Sequence, residues 1–154
     1  MIRYQSGDIF NSPAQVLVNP VNTVGVMGKG LALQFKQRYP AMYEAYRAAC
    51  SKGLLTIGKL MLHHAEDHSI LLFPTKAHWR EPSRTEYLEA GLEKFVQTYE
   101  EKRIASIAFP MLGCGYGGLD WNGVKPLMER YLAQLPIDVY VYLGKNVPQN
   151  ENHP

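Results

Sequence analysis

The stretch that decides the fold is Gln15-Val-Leu-Val-Asn-Pro-Val-Asn-Thr-Val-Gly-Val-Met-Gly-Lys-Gly30, where a short apolar strand runs into a glycine-rich loop. The same pattern recurs downstream, where Ile104-Ala-Ser-Ile-Ala-Phe109 leads into Pro110-Met-Leu-Gly-Cys-Gly-Tyr-Gly-Gly118. A helix-like stretch follows each loop. Ligands of open α/β sheets bind in the crevice beyond the carboxyl ends of the strands. Two glycine loops at two such ends therefore predict backbone amides that converge on a phosphate-bearing ligand.

The rest of the chain alternates between strand-like and helix-like segments. Strands are predicted over residues 2–5, 16–19, 60–64, 69–75, 106–109 and 138–143. Helices are predicted over residues 30–52 with a break at Pro40, 83–103 with a capping box of Ser83 and Glu86, and 122–134 with Asp120 as its cap. This alternation predicts an α/β fold, a three-layer α/β/α sandwich around a six-stranded mixed sheet. If the strands concerned are parallel, residues 19–22, 74–76 and 110–113 share one crevice.

Length and composition fit one globular domain. The chain has 154 residues and a formal net charge of +2, which by itself indicates no nucleic-acid partner. We expect a monomeric domain over residues 1–145, with 146–154 as a polar tail or the start of a linker to a C-terminal region. Cys50 and Cys114 have neither metal-ligand nor disulfide-framework spacing, which favours a reducing, cytoplasmic compartment. The longest strongly apolar run, residues 70–73, is too short to span a bilayer, so no membrane partner is expected.

Polar residues near the predicted strand ends are candidates for the site. Asn22 could present its amide to the vicinal hydroxyls of a ribose, whereas for Asn19 we favour the alternative, an Asx-turn that closes the loop. Lys76 follows an apolar strand, and partial desolvation would favour its neutral, nucleophilic amine; the alternative is a lysine that snorkels at a strand end. Asp8 could accept a hydrogen bond from the exocyclic amine of a nucleobase, or could be a turn residue.

The segment that follows Lys76 carries candidates for contact with nucleic acid, namely His78, Trp79, Arg80 and Arg84. An exposed indole beside basic side chains can stack on bases and neutralise phosphates. The alternative is a tryptophan that packs on the rim of the domain.

Other classes of site fit the sequence poorly. The stretch Gly25-Val-Met-Gly-Lys-Gly30 is too short for a P-loop, and no acidic residue completes a dinucleotide fingerprint. His63 and His64 are adjacent strand residues that point to opposite faces, so they cannot easily ligate one ion, and no metal site is expected. No cofactor is expected either. Cys114 lies between two glycines without a partner nearby in sequence, which favours a packing role over a nucleophile.

Taken together, these residues resemble a macrodomain over residues 2–143. The resemblance rests on Gly7-Asp-Ile9, Asn19-Pro-Val-Asn22, Gly25-Val-Met-Gly-Lys-Gly-Leu-Ala-Leu33, Pro74-Thr-Lys76 and Pro110-Met-Leu-Gly-Cys-Gly115. Within the family, Gly113-Cys-Gly-Tyr-Gly-Gly-Leu-Asp-Trp121 is similar to the DarG-type branch, which is related to terminal ADP-ribose protein glycohydrolase. The resemblance implies that the crevice binds ADP-ribose.

The resemblance also implies a role for each motif. Asp8 would take the adenine amine, with the Ile9 amide beside it, and Asn22 would hold the distal ribose. Lys76 would be the catalytic lysine. The diphosphate would lie on the backbone amides of Gly28, Lys29, Gly30 and Leu31. The segment that would close over the phosphates and the distal ribose comprises Gly113, Cys114, Gly115, Tyr116, Gly117, Gly118 and Leu119.

A member of this branch would remove ADP-ribose from thymine bases of single-stranded DNA, as the antitoxin of a DNA ADP-ribosyltransferase toxin. Its partners would be ADP-ribose, the modified DNA strand and the toxin, the last bound through a region beyond this chain. Gly117 stands where the human relative, terminal ADP-ribose protein glycohydrolase, carries an aspartate, so an acidic partner for Lys76 is missing. A thymine imide leaves readily and needs less acid catalysis. The alternatives are a hydrolase for protein-linked ADP-ribose and a non-catalytic ADP-ribose reader, which would not need Lys76.

Overall fold

The computed structural model describes residues 1–144 and contains six strands and four α-helices in that range. The strands are β1 (Ile2–Gln5), β2 (Val16–Asn22), β3 (Met61–His64), β4 (Ser69–Lys76), β5 (Ser106–Pro110) and β6 (Asp138–Tyr142). The helices are α1 (Gly30–Arg38), α2 (Pro40–Ser51), α3 (Thr85–Thr98) and α4 (Trp121–Leu132), with short 3-10 turns at Ile9–Asn11 and Gly115–Gly117. The predicted polar tail, residues 146–154, lies outside the described residues.

The strands form one sheet in the order β1-β6-β5-β2-β4-β3. Every neighbouring pair is parallel except β3 and β4, which are antiparallel at one edge. The sheet is therefore mixed, as predicted. Because β2, β4 and β5 are parallel neighbours, their carboxyl ends lie side by side, which confirms that the three predicted strand ends meet.

Both faces of the sheet are covered. Val16, Val18, Leu71 and Phe73 belong to a core shared with α3 and α4, whereas Leu17, Ile70 and Leu72 pack with α1 and α2. The central strands are buried on both sides, as is usual for parallel strands. This confirms the three-layer α/β/α sandwich.

Two element boundaries differ from the sequence-based expectation in a way that overturns a predicted residue role. Strand β2 continues to Asn22, so Asn19 is a fully buried strand residue and its interpretation as an Asx-turn is wrong. Helix α3 begins at Thr85 with Arg84 as N-cap, so the capping box at Ser83 is also wrong. The backbone N–H of Ser83 instead donates to the carbonyl of Gly117, 2.9 Å away, and this tertiary contact displaces the helix start. The predicted break at Pro40 separates α1 from α2 because Tyr39, which precedes the proline, is not helical.

Candidate functional site

A cavity of about 580 Å³ lies beyond the carboxyl ends of β2, β4 and β5. We call residues 23–29, between β2 and α1, loop 1, and residues 111–120, between β5 and α4, loop 2. The predicted site residues that line the cavity are Asn22, Gly28, Lys29, Gly30, Leu31, Lys76, Gly113, Cys114, Gly115, Tyr116 and Gly117. The structure therefore brings both glycine loops and Lys76 to one cavity.

Other predicted site residues lie outside this lining: Asp8, Ile9, Gly118, Leu119, His78, Trp79, Arg80 and Arg84. Asp8 caps the first 3-10 turn, because its Oδ1 accepts a hydrogen bond from the backbone N–H of Phe10 at 3.0 Å. Its other oxygen lies 3.9 Å from the Arg38 guanidinium, and Ile9 is buried. The adenine-binding role of Asp8 and Ile9 stays a prediction.

The cavity also has lining residues that the sequence reasoning missed: Pro20, Val21, Val26, Ala32, Thr75, Ser83, Pro110, Met111, Tyr142, Leu143 and Gly144. Most of them lie within the quoted motifs but were not named as site residues, and five belong to the strand ends predicted to share the crevice: Pro20, Val21, Thr75, Pro110 and Met111. Tyr142 and Leu143 follow from the position of β6 beside β5, which only the strand order reveals. The sequence carries no signal that Ser83 lines the cavity, since it reaches the cavity through its contact with loop 2.

Asn22 organises loop 1. Its Oδ1 accepts hydrogen bonds from the backbone N–H groups of Val24 (3.0 Å) and Val26 (3.3 Å) and from the Tyr46 hydroxyl (2.7 Å). Its Nδ2 donates to the Val26 carbonyl at 2.7 Å. The loop-closing interaction that we expected at Asn19 is thus made by Asn22. One Nδ2–H remains for a ribose hydroxyl, so the predicted ribose contact stays a prediction.

The N-terminus of α1 opens into the cavity. Lys29 is the N-cap, and Gly30 has a left-handed φ of 57°, at which a Cβ would lie 3.0 Å from the Tyr116 ring. The first N–H groups of an α-helix have no acceptor within the helix. The amides at the start of α1 are therefore available to an anion, and the helix dipole favours negative charge there.

The residues of loop 2 pack tightly against one another at Gly113. Gly113 has a φ of 72°, and its carbonyl accepts a hydrogen bond from the N–H of Leu119 at 2.9 Å. A Cβ at Gly113 would lie 2.7 Å from the Leu119 side chain. Burial raises the pKa of the neighbouring Cys114 thiol to about 11, so little thiolate forms at neutral pH. This agrees with a packing role for Cys114.

Lys76 ends β4 and is paired in register with Asn22 of β2, just after a bulge in the ladder. Burial, and secondarily the charge of Lys29, lowers the pKa of the Lys76 ammonium. No carboxylate lines the cavity among the described residues. The site thus combines anion-binding amides with two lysine side chains, of which Lys76 has a lowered pKa, and this suits an anionic ligand and nucleophilic attack.

The segment from residue 77 to 84 forms the rim next to Lys76. The Thr23 hydroxyl of loop 1 donates to the Ala77 carbonyl at 2.6 Å and ties the rim to loop 1. Trp79 is 38% exposed, with the His78 ring 5.4 Å from its own and the Arg80 guanidinium 4.6 Å from its ring centroid. The indole therefore lies at the surface among cationic and aromatic neighbours.

Two further properties concern residues 1–144 as a whole. No group of three or more His, Cys, Asp and Glu side chains in this range could hold a metal ion. Over the same range, every helix is too short or too polar to cross a membrane.

Comparison with known proteins places this geometry in a family. A DNA ADP-ribosyl glycohydrolase of Mycobacterium tuberculosis is 48% identical over 147 residues, which is 92% of this chain and 42% of the relative. The chain thus spans less than half the length of this curated relative. The macrodomain of Thermus aquaticus DarG superposes with a TM-score of 0.88 at 47% identity, covering 93% of this chain and 98% of that one.

A structure of Thermosipho africanus DarTG in complex with ADP-ribose superposes with a TM-score of 0.87 at 45% identity, covering 94% of this chain and 42% of that one. The family model of the Macro domain matches residues 18–128, which contain most of β2, all of β4 and β5, and both glycine loops. Because that match covers more than half of the sequence, the chain belongs to the Macro domain family.

Proposed function

We propose that this chain is a hydrolase domain that removes ADP-ribose from thymine bases of single-stranded DNA. The observation that carries the proposal is Lys76, an amine of lowered pKa at the point where β4 meets an anion-binding cavity. The name of the Mycobacterium tuberculosis relative, DNA ADP-ribosyl glycohydrolase, supports the same activity.

In the proposed complex, ADP-ribose lies in the cavity in a single orientation. The diphosphate lies on the amides at the start of α1, where both the helix dipole and Lys29 favour negative charge. The distal ribose then lies beneath loop 2, next to Lys76 and the free Nδ2–H of Asn22. The adenosine extends towards Asp8 and Ile9. The attached DNA leaves past the rim formed by residues 77–84.

The proposed reaction proceeds through a covalent bond to Lys76. The amine lone pair attacks the anomeric carbon of the distal ribose, and the bond from that carbon to the thymine ring nitrogen breaks. The electron pair leaves with the thymine imide, which takes up the proton released by the attacking amine. The ribosylamine opens to an imine, water adds to it, and ADP-ribose departs as Lys76 is regenerated.

Among the described residues, no carboxylic acid lines the cavity, and this agrees with thymine as the leaving group. A thymine imide delocalises its charge over two carbonyls and leaves without strong acid catalysis, whereas release of less acidic groups benefits from a positioned acid. This favours an acidic leaving group, such as a thymine imide, over a poorly acidic one, such as a serine hydroxyl. A pure ADP-ribose reader would need the amides but not the amine.

We also propose the cellular setting from the resemblance to the DarG-type branch. The whole protein is the antitoxin of a DNA ADP-ribosyltransferase, and the domain acts as a monomer. Contact with the toxin lies outside the described residues. The free thiols of Cys50 and Cys114 suit the reducing cytoplasm.

The test compares wild-type protein, Lys76→Ala and the control Lys36→Ala, whose lysine is on α1 and outside the cavity lining. We expect wild type and Lys36→Ala to release ADP-ribose from an ADP-ribosylated thymidine oligonucleotide. Lys76→Ala should lose at least about a hundredfold in rate, while calorimetry shows unchanged ADP-ribose affinity. Binding without release in wild type would indicate a reader, and release from modified protein alone would indicate the protein hydrolase.

A further inference from the structure

Two lysines line the same cavity, Lys29 at the N-cap of α1 and Lys76 at the end of β4. Lys29 is exposed, whereas Lys76 is partly buried. No described carboxylate lines the cavity to compensate their charges. Two like charges in one cavity favour loss of a proton, and the more buried group is the one whose charged form is less well solvated.

The Lys29 ammonium is held in place across the crevice. Its Nζ lies 5.1 Å from the centroid of the Tyr116 ring, within the range of a cation–π interaction. Tyr116 in turn packs against Gly30, since a Cβ there would lie 3.0 Å from two ring carbons. Loop 1 and loop 2 therefore meet over the cavity, and this contact restrains the position of Lys29.

We propose that the Lys29 ammonium, held against Tyr116 in the cavity that Lys76 also lines, promotes loss of a proton from the Lys76 ammonium, so that loop 1 contributes a charged side chain as well as backbone amides. This inference rests on the proposed function, in which Lys76 is the nucleophile. Lys29 acts on the reacting carbon only through Lys76, so it is a positioning residue for the chemical step, while its ammonium also favours the diphosphate at the start of α1.

The other ionisable groups around Lys76 do not supply the same effect. Loop 2 contributes Tyr116, Cys114 and, at the cap of α4, Asp120, while β6 contributes Tyr142. The rim contributes His78, Arg80, Glu81 and Arg84, all outside the cavity lining. After burial, the charge of Lys29 is the remaining cause of the lowered Lys76 pKa.

The charge of Lys29 also counts when the ligand is bound. A diphosphate brings two negative charges to the start of α1, and negative charge nearby stabilises the protonated ammonium of Lys76. Protonation would abolish its nucleophilicity. The Lys29 ammonium lies at the helix start and offsets part of that charge. Loss of Lys29 should therefore raise the pKa of Lys76 in the complex as well as in the free protein.

The experiment measures protonation of Lys76 directly, without turnover. Wild type, Lys29→Met, Lys29→Arg and Lys36→Met are treated with trace acetic anhydride across a pH series, and mass spectrometry follows the peptide that carries Lys76. Lys36 is a matched control, because its ammonium lies 4.5 Å from the centroid of the Tyr43 ring but outside the cavity lining. A parallel series measures single-turnover release of ADP-ribose from the modified oligonucleotide.

We expect the labelling midpoint of Lys76 to rise by about half a pH unit or more in Lys29→Met. The midpoint should stay at the wild-type value in Lys29→Arg and Lys36→Met. In the pH–rate profile for release of ADP-ribose, the acidic limb should move to higher pH in Lys29→Met by at least as much as the labelling midpoint. Raising the salt concentration should reduce the difference between wild type and Lys29→Met, because salt screens the charge.

An unchanged midpoint in Lys29→Met, or an equal shift in Lys36→Met, would overturn the inference while leaving the proposed function intact. Conversely, the expected midpoint shift in a protein that releases no ADP-ribose would refute the proposed function and support the coupling of the two lysines.

Discussion

Gly117 is the residue at which loop 2 touches the segment after β4. A Cβ at this position would lie 2.5 Å from the Ser83 hydroxyl oxygen and 3.1 Å from the Ser83 Cβ. Ser83 is 3% exposed and its N–H is bound to the Gly117 carbonyl, so it has little room to move aside. This contact gives a physical reason why the aspartate expected from the human relative is absent: the space for its side chain is occupied.

Replacement of Gly117 by alanine should therefore displace loop 2. We expect Gly117→Ala to weaken ADP-ribose binding by about tenfold or more, since about 1.4 kcal/mol is enough for that change and overpacking a tight site costs about 1–3 kcal/mol. Gly117→Asp should weaken it at least as much. Calorimetric titration with ADP-ribose measures both.

A second substitution tests the cause. Ser83→Gly removes both atoms that the new Cβ would approach, so the double variant Gly117→Ala/Ser83→Gly should recover most of the affinity that Gly117→Ala loses. Contacting residues couple in a double-mutant cycle, whereas independent residues give additive effects. Strictly additive losses, or unchanged binding in Gly117→Ala, would show that the contact does not position loop 2.

At the scale of elements, α3 packs on β4 through a glycine. A Cβ at Gly91 would overlap the ring of Phe73, a fully buried residue of β4. The absence of a side chain lets the helix approach the strand closely, and β4 carries Lys76 at its end. The spacing of helix and strand thus helps to set the position of the candidate nucleophile.

We expect Gly91→Ala to lower the free energy of unfolding by about 1–3 kcal/mol, because the new methyl group must displace the Phe73 ring. Gly123→Ala is the matched control, since Gly123 lies in α4 and has no atom within 4 Å of its Cβ position. That change should raise stability by about 0.5–1 kcal/mol through helix propensity. Urea unfolding measures both, and equal effects of the two substitutions would contradict this account of the packing.

The rim segment, residues 77–84, is the element expected to meet DNA. A stacking platform contributes about 1–3 kcal/mol per base, so Trp79→Ala should raise the KM for ADP-ribosylated oligonucleotide and leave the affinity for free ADP-ribose unchanged. Arg80→Ala should reduce the salt dependence of oligonucleotide binding. Arg47→Ala is its control, because Arg47 lies on α2, 5.8 Å from the centroid of the Tyr43 ring and outside the cavity lining. A lower Tm of Trp79→Ala, with unchanged KM for the oligonucleotide and unchanged affinity for ADP-ribose, would instead show that the indole only packs on the rim.

The same elements show how far the sequence predicts this molecule. Apolar runs followed by glycines locate β2 and β5 because strand burial and left-handed turns leave local signals. The approach of Ser83 to Gly117 and that of Tyr142 to the cavity depend on how distant segments pack, which no local pattern records. For the same reason, the local capping signal at Ser83 predicts a helix start that the contact with loop 2 overrides.

At the scale of the whole molecule, the cavity joins distant parts of the chain. Its lining extends from Pro20 in β2 to Gly144 after β6, and includes the ends of β4 and β5. The two cores lie on opposite faces of the same strands, so loss of the sheet would expose both of them. We therefore expect a single cooperative unfolding transition, to which ligand binding is coupled.

ADP-ribose should consequently stabilise the whole domain. A ligand that binds only the folded state adds about 2.7 kcal/mol at a hundred times its Kd, which for a chain of this size corresponds to a rise in Tm of about 5–10 °C. Lys76→Ala should show the same rise, because the amine serves chemistry while the amides of α1 and loop 2 supply affinity. Gly117→Ala should show a smaller rise in Tm at the same ADP-ribose concentration, because its loop 2 is displaced.

AMP, which lacks the second phosphate and the distal ribose, should give less stabilisation than ADP-ribose in every variant. Scanning calorimetry of the three proteins with each ligand measures these shifts, and equal stabilisation by AMP and ADP-ribose would show that the distal half of the cavity does not bind the ligand.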